Sequence, residues 1–196
     1  MTMCTICGGT IRNDRCIKCG IVYKNMTISP KDWYDEYYKS DDVIKYFTED
    51  RKYTYSKVAD ILYSYKIKTV LDIGTSTGIM IKTLLQKGID AYGVDFDLLQ
   101  LKEIHKKMEL KNRMIYLLED LELSQAVGLF KTKGIDIECI TVLDTLRYIN
   151  NFEALFDDSK RQGVKYILIK EVSTTLKNTR KDRDEWYLFS IRSLVT

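Results

Sequence analysis

Apolar and polar positions change period along this chain, and the changes mark out its elements. From about Asp42 to Tyr65 apolar residues recur at helical spacing, and the pattern breaks before Lys68. Short runs of two kinds then alternate. Thr69 to Ile73 predicts a buried strand, Ile79 to Lys87 a helix stopped by Gly88, Ala91 to Val94 a strand, and Leu98 to Lys111 a helix. Strands follow at Met114 to Leu118 and Ile137 to Leu143, then a helix at Phe152 to Arg161 closed by Gly163, and a strand at Tyr166 to Lys170. Strands separated by helices of about ten to fifteen residues imply parallel pairing through right-handed crossovers. The expected fold class is therefore α/β, an open, doubly wound, mostly parallel sheet. Lys177 to Glu185 is nearly all charged and polar and predicts a solvated helix or loop.

The first 25 residues are unlike the rest. They are poor in large aliphatics and rich in Gly and Cys, so a hydrophobic core cannot fold them. Cys4, Cys7, Cys16 and Cys19 form two Cys-x-x-Cys pairs, and each pair can set two sulfurs on one side of a tetrahedron. Zinc is the expected occupant, in a closed four-cysteine site whose role is structural. Gly8 and Gly20 suit the tight turns of such knuckles. Three segments result: residues 1–28 as a zinc ribbon, 29–66 as an aromatic-rich helical linker or cap, and 67–196 as the main domain.

Charge adds little for a nucleic-acid role. The net +3 arises within residues 1–30, where Arg12, Arg15, Lys18 and Lys24 face Asp14, while the remaining chain balances to zero. Four thiolates on one zinc ion would offset most of that excess. No apolar run approaches the roughly 18 to 20 residues of a membrane span. A cysteine cluster stands where a signal peptide would place its basic and apolar regions, so the expected location is cytoplasmic. The fifth cysteine, Cys139, lies in an apolar strand and is expected in the core.

The candidate chemistry begins at the first strand-to-helix turn, where ligands approach a doubly wound sheet most closely. Gly74 and Gly78 permit positive φ or close backbone approach, and Thr75, Ser76 and Thr77 add hydroxyls at a helix N-terminus, which suits a carboxylate. The spacing is Gly74-x-x-x-Gly78, so the dinucleotide fingerprint is absent. Lys82 stands too far along the helix for a phosphate-binding loop. A ligand with an amino-acid end and a ribose remains. At the end of the second strand, in Gly93-Val94-Asp95-Phe96, the Asp95 carboxylate can accept both ribose hydroxyls; Asp97 better fits a helix cap.

From Val70 to Lys170 the chain resembles a class I S-adenosylmethionine-dependent methyltransferase. Leu71-Asp72-Ile73-Gly74-Thr75-Ser76-Thr77-Gly78 is similar to that family's first motif, Gly93-Val94-Asp95 to its second, Leu118-Glu119-Asp120-Leu121 to the acidic position after the third strand, and Val142 to Ile149 to the fourth-strand segment. The resemblance implies a Rossmann-like methyltransferase fold with S-adenosylmethionine as cofactor. Asp72, Gly74 and Gly78 would surround its methionine part, Asp95 its ribose and Asp120 the adenine amino group, with Thr75, Ser76 and Phe96 as further expected cofactor-binding residues. Ser76 replaces the family's frequent middle glycine. The family's final antiparallel strand pair has no evident counterpart before Thr196, which would leave the fifth strand as an edge open to association, as a monomer or a homodimer.

Methyl transfer from a sulfonium is an in-line displacement that gains most from orientation and exclusion of water. Asp144 and Tyr148, after the fourth strand, are the candidate catalytic residues, Asp144 being equally a candidate helix cap, with Glu171 as a further acceptor. Trp33, Tyr34, Tyr37 and Tyr38 are candidates for a lid or for packing. His105, within a lysine-rich helix, is expected to be exposed and uninvolved. The expected function is methyl transfer to a small-molecule acceptor such as a sugar or related metabolite. The alternatives are an RNA methyltransferase that uses the ribbon for substrate binding, and a non-catalytic methyltransferase-like binding module.

Overall fold

A computed structural model of the chain describes residues 10–12, 15–16, 38–96, 98–117, 125–146, 149, 152–172 and 184–190. Its centre is a six-stranded sheet built from β3 (Thr69–Ile73), β4 (Asp90–Phe96), β5 (Met114–Leu117), β6 (Cys139–Leu143), β7 (Tyr166–Val172) and β8 (Asp184–Ser190), in the order β5-β4-β3-β6-β7-β8. The first five are parallel and β8 is antiparallel. Strand order reverses between β3 and β6, so their carboxyl ends flank the crevice where ligands of such sheets bind.

Both faces of the sheet are covered, which is why β6 is buried at every position and β3 at all but its first. Leu71, Ile73, Ile140 and Val142 pack on one side with Val127 and Phe130 of α5 (Ala126–Thr132) and Leu155 of α6 (Phe152–Arg161). On the other side, Val70 and Cys139 pack against Tyr55, Val58, Ala59 and Leu62 of α2 (Lys52–Ser64) and Met80, Ile81 and Leu84 of α3 (Ile79–Gln86). Strand alternation explains the division: adjacent residues point to opposite faces. Cys139 is fully buried, as its apolar setting implies.

A smaller third cluster joins Tyr38 to Leu98 and Leu101, the latter in α4 (Leu99–Lys107), with Val43, Phe47 and Phe96 packed around it. The expected 42–65 helix is present but interrupted. Helix α1 (Asp41–Lys45) runs into a π-helical turn over Tyr46–Asp50, and α2 starts after Arg51. Within that turn Thr48 Oγ1 bonds back to the carbonyls of Ile44 at 2.8 Å and Lys45 at 3.2 Å.

One element is added and one expectation corrected. Helix α5 stands between β5 and β6, a stretch to which the periodicity assigned no element; it is short, with Gly128 third among its seven residues. The fifth parallel strand is not a sheet edge. Asp184–Ser190, part of which falls in the expected solvated segment, pairs with β7 along its full length, from Tyr166↔Ser190 to Val172↔Asp184. Non-local pairing overrides the local charge signal that had marked this region as loop.

Near the N-terminus, β1 (Ile11–Arg12) and β2 (Arg15–Cys16) form an antiparallel hairpin with Ile11 opposite Cys16. Of the four expected metal ligands, Cys4, Cys7 and Cys19 lie outside the described residues, and of Cys16 only the backbone is described. No group of three His, Cys, Asp or Glu is placed to hold a metal among the described residues. Among those residues, no helix is long and apolar enough to cross a membrane.

Candidate active site

The turn after β3 is built by tertiary contacts as much as by its glycines. Gly74 has φ +71°, and a Cβ there would lie 2.3 Å from Thr145 Cγ2. Glycine at this position thus lets the loops after β3 and β6 touch at the switch point. Gly78, φ +80°, caps α3, and a Cβ on it would meet Leu110 Cδ1 at 2.6 Å and the His105 ring at 3.1 Å. Gly74 N and Thr75 N both donate to Val94 O, at 2.9 and 3.3 Å, tying the turn to β4.

Ser76 lies at the centre, in the left-handed region at φ +53°, a conformation costly for a residue with a Cβ unless its surroundings hold it. Three neighbours do so. Its N–H donates to Asp95 Oδ2 at 2.6 Å, its carbonyl is 2.7 Å from His105 Nε2, and its hydroxyl accepts from the Tyr38 hydroxyl at 2.6 Å. The serine in place of glycine is therefore accommodated with all three of its polar groups bonded.

Asp95, at the end of β4, is nearly buried, and Oδ1 also accepts from Phe96 N at 2.8 Å. Burial pushes its pKa up to about 6 despite these two amides, which pull it down. Asp72 behaves alike: burial is the main cause of its rise to about 6, opposed by the hydroxyls of Thr141 and Thr75. Thr141 is its register partner on β6 and donates to Oδ1 at 2.6 Å. Thr75 Oγ1 lies close enough to help hold that charge, yet it is buried and reaches hydrogen-bond geometry with no described partner.

Across the switch point, Asp144 takes a different environment. It too is left-handed, at φ +58°. Lys170 Nζ from β7 lies 3.0 Å from its Oδ1 and 2.9 Å from its Oδ2, and Arg51 pairs with Oδ2. Both cations are buried, and the Arg51 guanidinium lies over the rings of Tyr46, Phe47 and Tyr55 at 5.6–5.9 Å.

The structure thus brings together Asp72, Gly74, Thr75, Ser76, Gly78 and Asp95, with Phe96 packed beside Tyr38 and Asp144 across the crevice. Asp120, Tyr148, Asp97, Trp33, Tyr34 and Tyr37, like the side chain of Glu171, lie outside the described residues. His105 is a correction: it is fully buried because it shares a helix face with Leu101 and reaches the β3 loop, and burial lowers its pKa. Sequence reasoning also missed Arg51 and Thr141. Lys170 had one available signal, a cation closing the apolar run Tyr166 to Ile169.

Two tests of fit to S-adenosylmethionine are possible from these atoms. A carboxylate offers about four acceptor positions, and Asp95 uses two on backbone amides, leaving one on each oxygen for a ribose diol. The buried Thr75 hydroxyl, which also lies near Asp72, is a second polar group in the same turn. The residues fit the group.

No family model matches the sequence, and no curated protein matches it significantly. Solved structures do. Magnesium protoporphyrin IX methyltransferase from Synechocystis PCC 6803, with bound SAM, is 16% identical over 81% of this chain and 84% of its own, with a TM-score of 0.53. A SAM-dependent methyltransferase from Aquifex aeolicus is 15% identical over 72% of this chain and 78% of its own, with a TM-score of 0.49. The first likeness, with the five parallel strands and their order, establishes the Rossmann-like fold of S-adenosylmethionine-dependent methyltransferases.

Proposed function

We propose that this protein transfers a methyl group from S-adenosylmethionine to a small-molecule acceptor. The observation that carries the reading is Asp95: a buried carboxylate at the end of the second parallel strand, oriented by two backbone amides and keeping one acceptor position on each oxygen. Asp95 holds the ribose, Asp72, Gly74, Thr75, Ser76 and Gly78 line the methionine part, and Phe96 and Asp120 flank the adenosine. The bound cofactor would supply an electrophilic methyl group. The chain's own task is to align an acceptor with it and exclude water.

Asp144 serves that alignment. Its oxygens already accept from Lys170 and Arg51, so it organises the acceptor side with Tyr148 and leaves proton removal to the acceptor's own chemistry. Cys4, Cys7, Cys16 and Cys19 hold a structural zinc ion, a reading supported by their spacing and by the antiparallel pairing of Ile11–Arg12 with Arg15–Cys16, which ends on one of the four; a reducing cytoplasm keeps such thiolates available. The engagement of Asp144 by two cations also favours a second reading, a non-catalytic binding module of the same fold.

Calorimetric titration of the zinc-replete protein with S-adenosylmethionine and S-adenosylhomocysteine tests the proposal. Micromolar binding that D95A abolishes is expected. Absence of binding by the wild type would refute the cofactor assignment, and binding without turnover on a panel of hydroxyl and amine acceptors would favour the module.

A further inference from the structure

His105 and Tyr116 form a relay behind the cofactor turn that neither the fold nor the motifs call for. His105 is fully buried on α4, and its Nε2 lies 2.7 Å from Ser76 O. A carbonyl can only accept, so Nε2 carries the proton. Burial disfavours the imidazolium, so Nδ1 is bare and accepts from the Tyr116 hydroxyl at 3.0 Å. Tyr116 comes from β5, where it pairs in register with Asp95, and its ring stacks on the imidazole with centroids 5.8 Å apart. The tautomer that can hold Ser76 is therefore selected by the strand beside the ribose carboxylate.

The element being held is strained. With a side chain and φ +53°, Ser76 turns its N–H onto Asp95 Oδ2; relaxation of that φ would swing the amide away and free the carboxylate to rotate. We propose that His105, set in its tautomer by Tyr116, is a positioning residue that clamps Ser76 in the left-handed conformation and thereby fixes the orientation of Asp95 for ligand binding. The glycine frequent at this position in similar enzymes would need no clamp, because it adopts positive φ freely. Tyr38, itself buried, secures the same residue through its hydroxyl. The inference rests on the cofactor reading for its binding readout and on the geometry alone for its structural one.

The test uses H105L, H105Q, Y116F and S76G in the full-length, zinc-replete protein, with two readouts: hydrogen exchange at the amide of position 76, and affinity for S-adenosylhomocysteine. H105L should speed that exchange and weaken binding, each by about tenfold, the loss of one well-placed hydrogen bond. H105Q, whose amide can still donate to the carbonyl, should stay within about threefold of wild type, and Y116F should fall between. Adding S76G to H105L should restore both readouts. Equal effects of H105L and H105Q, or an H105L penalty undiminished in the S76G background, would overturn the clamp. If H105L does not fold, Y116F decides: no change in exchange at position 76 overturns the proposal. Should the wild type bind neither S-adenosylmethionine nor its product, the cofactor reading fails while the exchange arm still decides the clamp.

Discussion

Asp95 and Asp144 stand at the carboxyl ends of parallel strands on opposite sides of β3 and differ in what holds them. Asp95 is oriented by the amides of Ser76 and Phe96, and its pKa is raised by burial. Asp144 is clamped by two buried cations, Arg51 and Lys170. Amides fix direction without supplying a full countercharge, so Asp95 keeps its demand for further donors and suits a neutral diol. Ion pairs answer that demand within the protein, so Asp144 is satisfied by the fold's own charges.

Removing each carboxylate should separate these roles. D144A removes the carboxylate shared by two buried cations and should cost about 3–5 kcal/mol of stability, read as a lowered urea midpoint at unchanged slope. D95A should leave the fold intact and weaken S-adenosylmethionine binding at least roughly a hundredfold, since each lost charge-assisted hydrogen bond is worth about 1.5–3 kcal/mol. If the two variants behaved alike, the distinction between a ligand-directed and a structural carboxylate would be lost.

A pH series sharpens the comparison. The folded-state pKa of Asp95, about 6, lies above its ordinary 3.8, so its contribution to stability is present in full below about 3.8 and is lost as pH rises through 6. D95N removes that loss. The variant should therefore gain on wild type from pH 4 to pH 8, by about 2 kcal/mol at the upper end, whereas D144N should be destabilised at pH 8. Cofactor affinity should fall by about tenfold per unit below pH 6, where Asp95 is protonated in the free protein. His105 acts with the opposite sign on stability: its value is lowered, so stability is lost as pH falls from about 6.5, and H105Q should be less sensitive there.

The smallest effect belongs to an exposed pair. Lys87 and Asp60 form an ion pair between α3 and α2 with both side chains open to solvent, and D60A should change stability by less than about 0.5 kcal/mol. A larger loss would mean that charge pairing matters as much on this surface as it does at Asp144.

Much of the sheet was legible because its strands are short apolar runs bounded by glycine or charge. Thr69–Ile73 was predicted with its observed limits, as was the helix Phe152–Arg161. Ala126–Thr132 was not, since seven residues with a glycine third among them carry too little periodicity. That Asp72, Gly74, Ser76 and Asp95 lie close together could be read because they occupy consecutive strand ends and the turn between them. His105 was misread because lysines follow it in sequence, while its environment is set by the β3 loop and β5.

By itself, then, the sequence determined the alternation of strands and helices, the parallel sheet and the position of the turn after β3, all of which follow from local periodicity and glycine placement. Tertiary structure alone decided the antiparallel sixth strand, the ion triad at Asp144 and the relay from Tyr116 through His105 to Ser76. Each of these joins residues far apart in the chain, and its stability comes from burial and complementary charge or hydrogen bonding that exist only once the sheet has assembled.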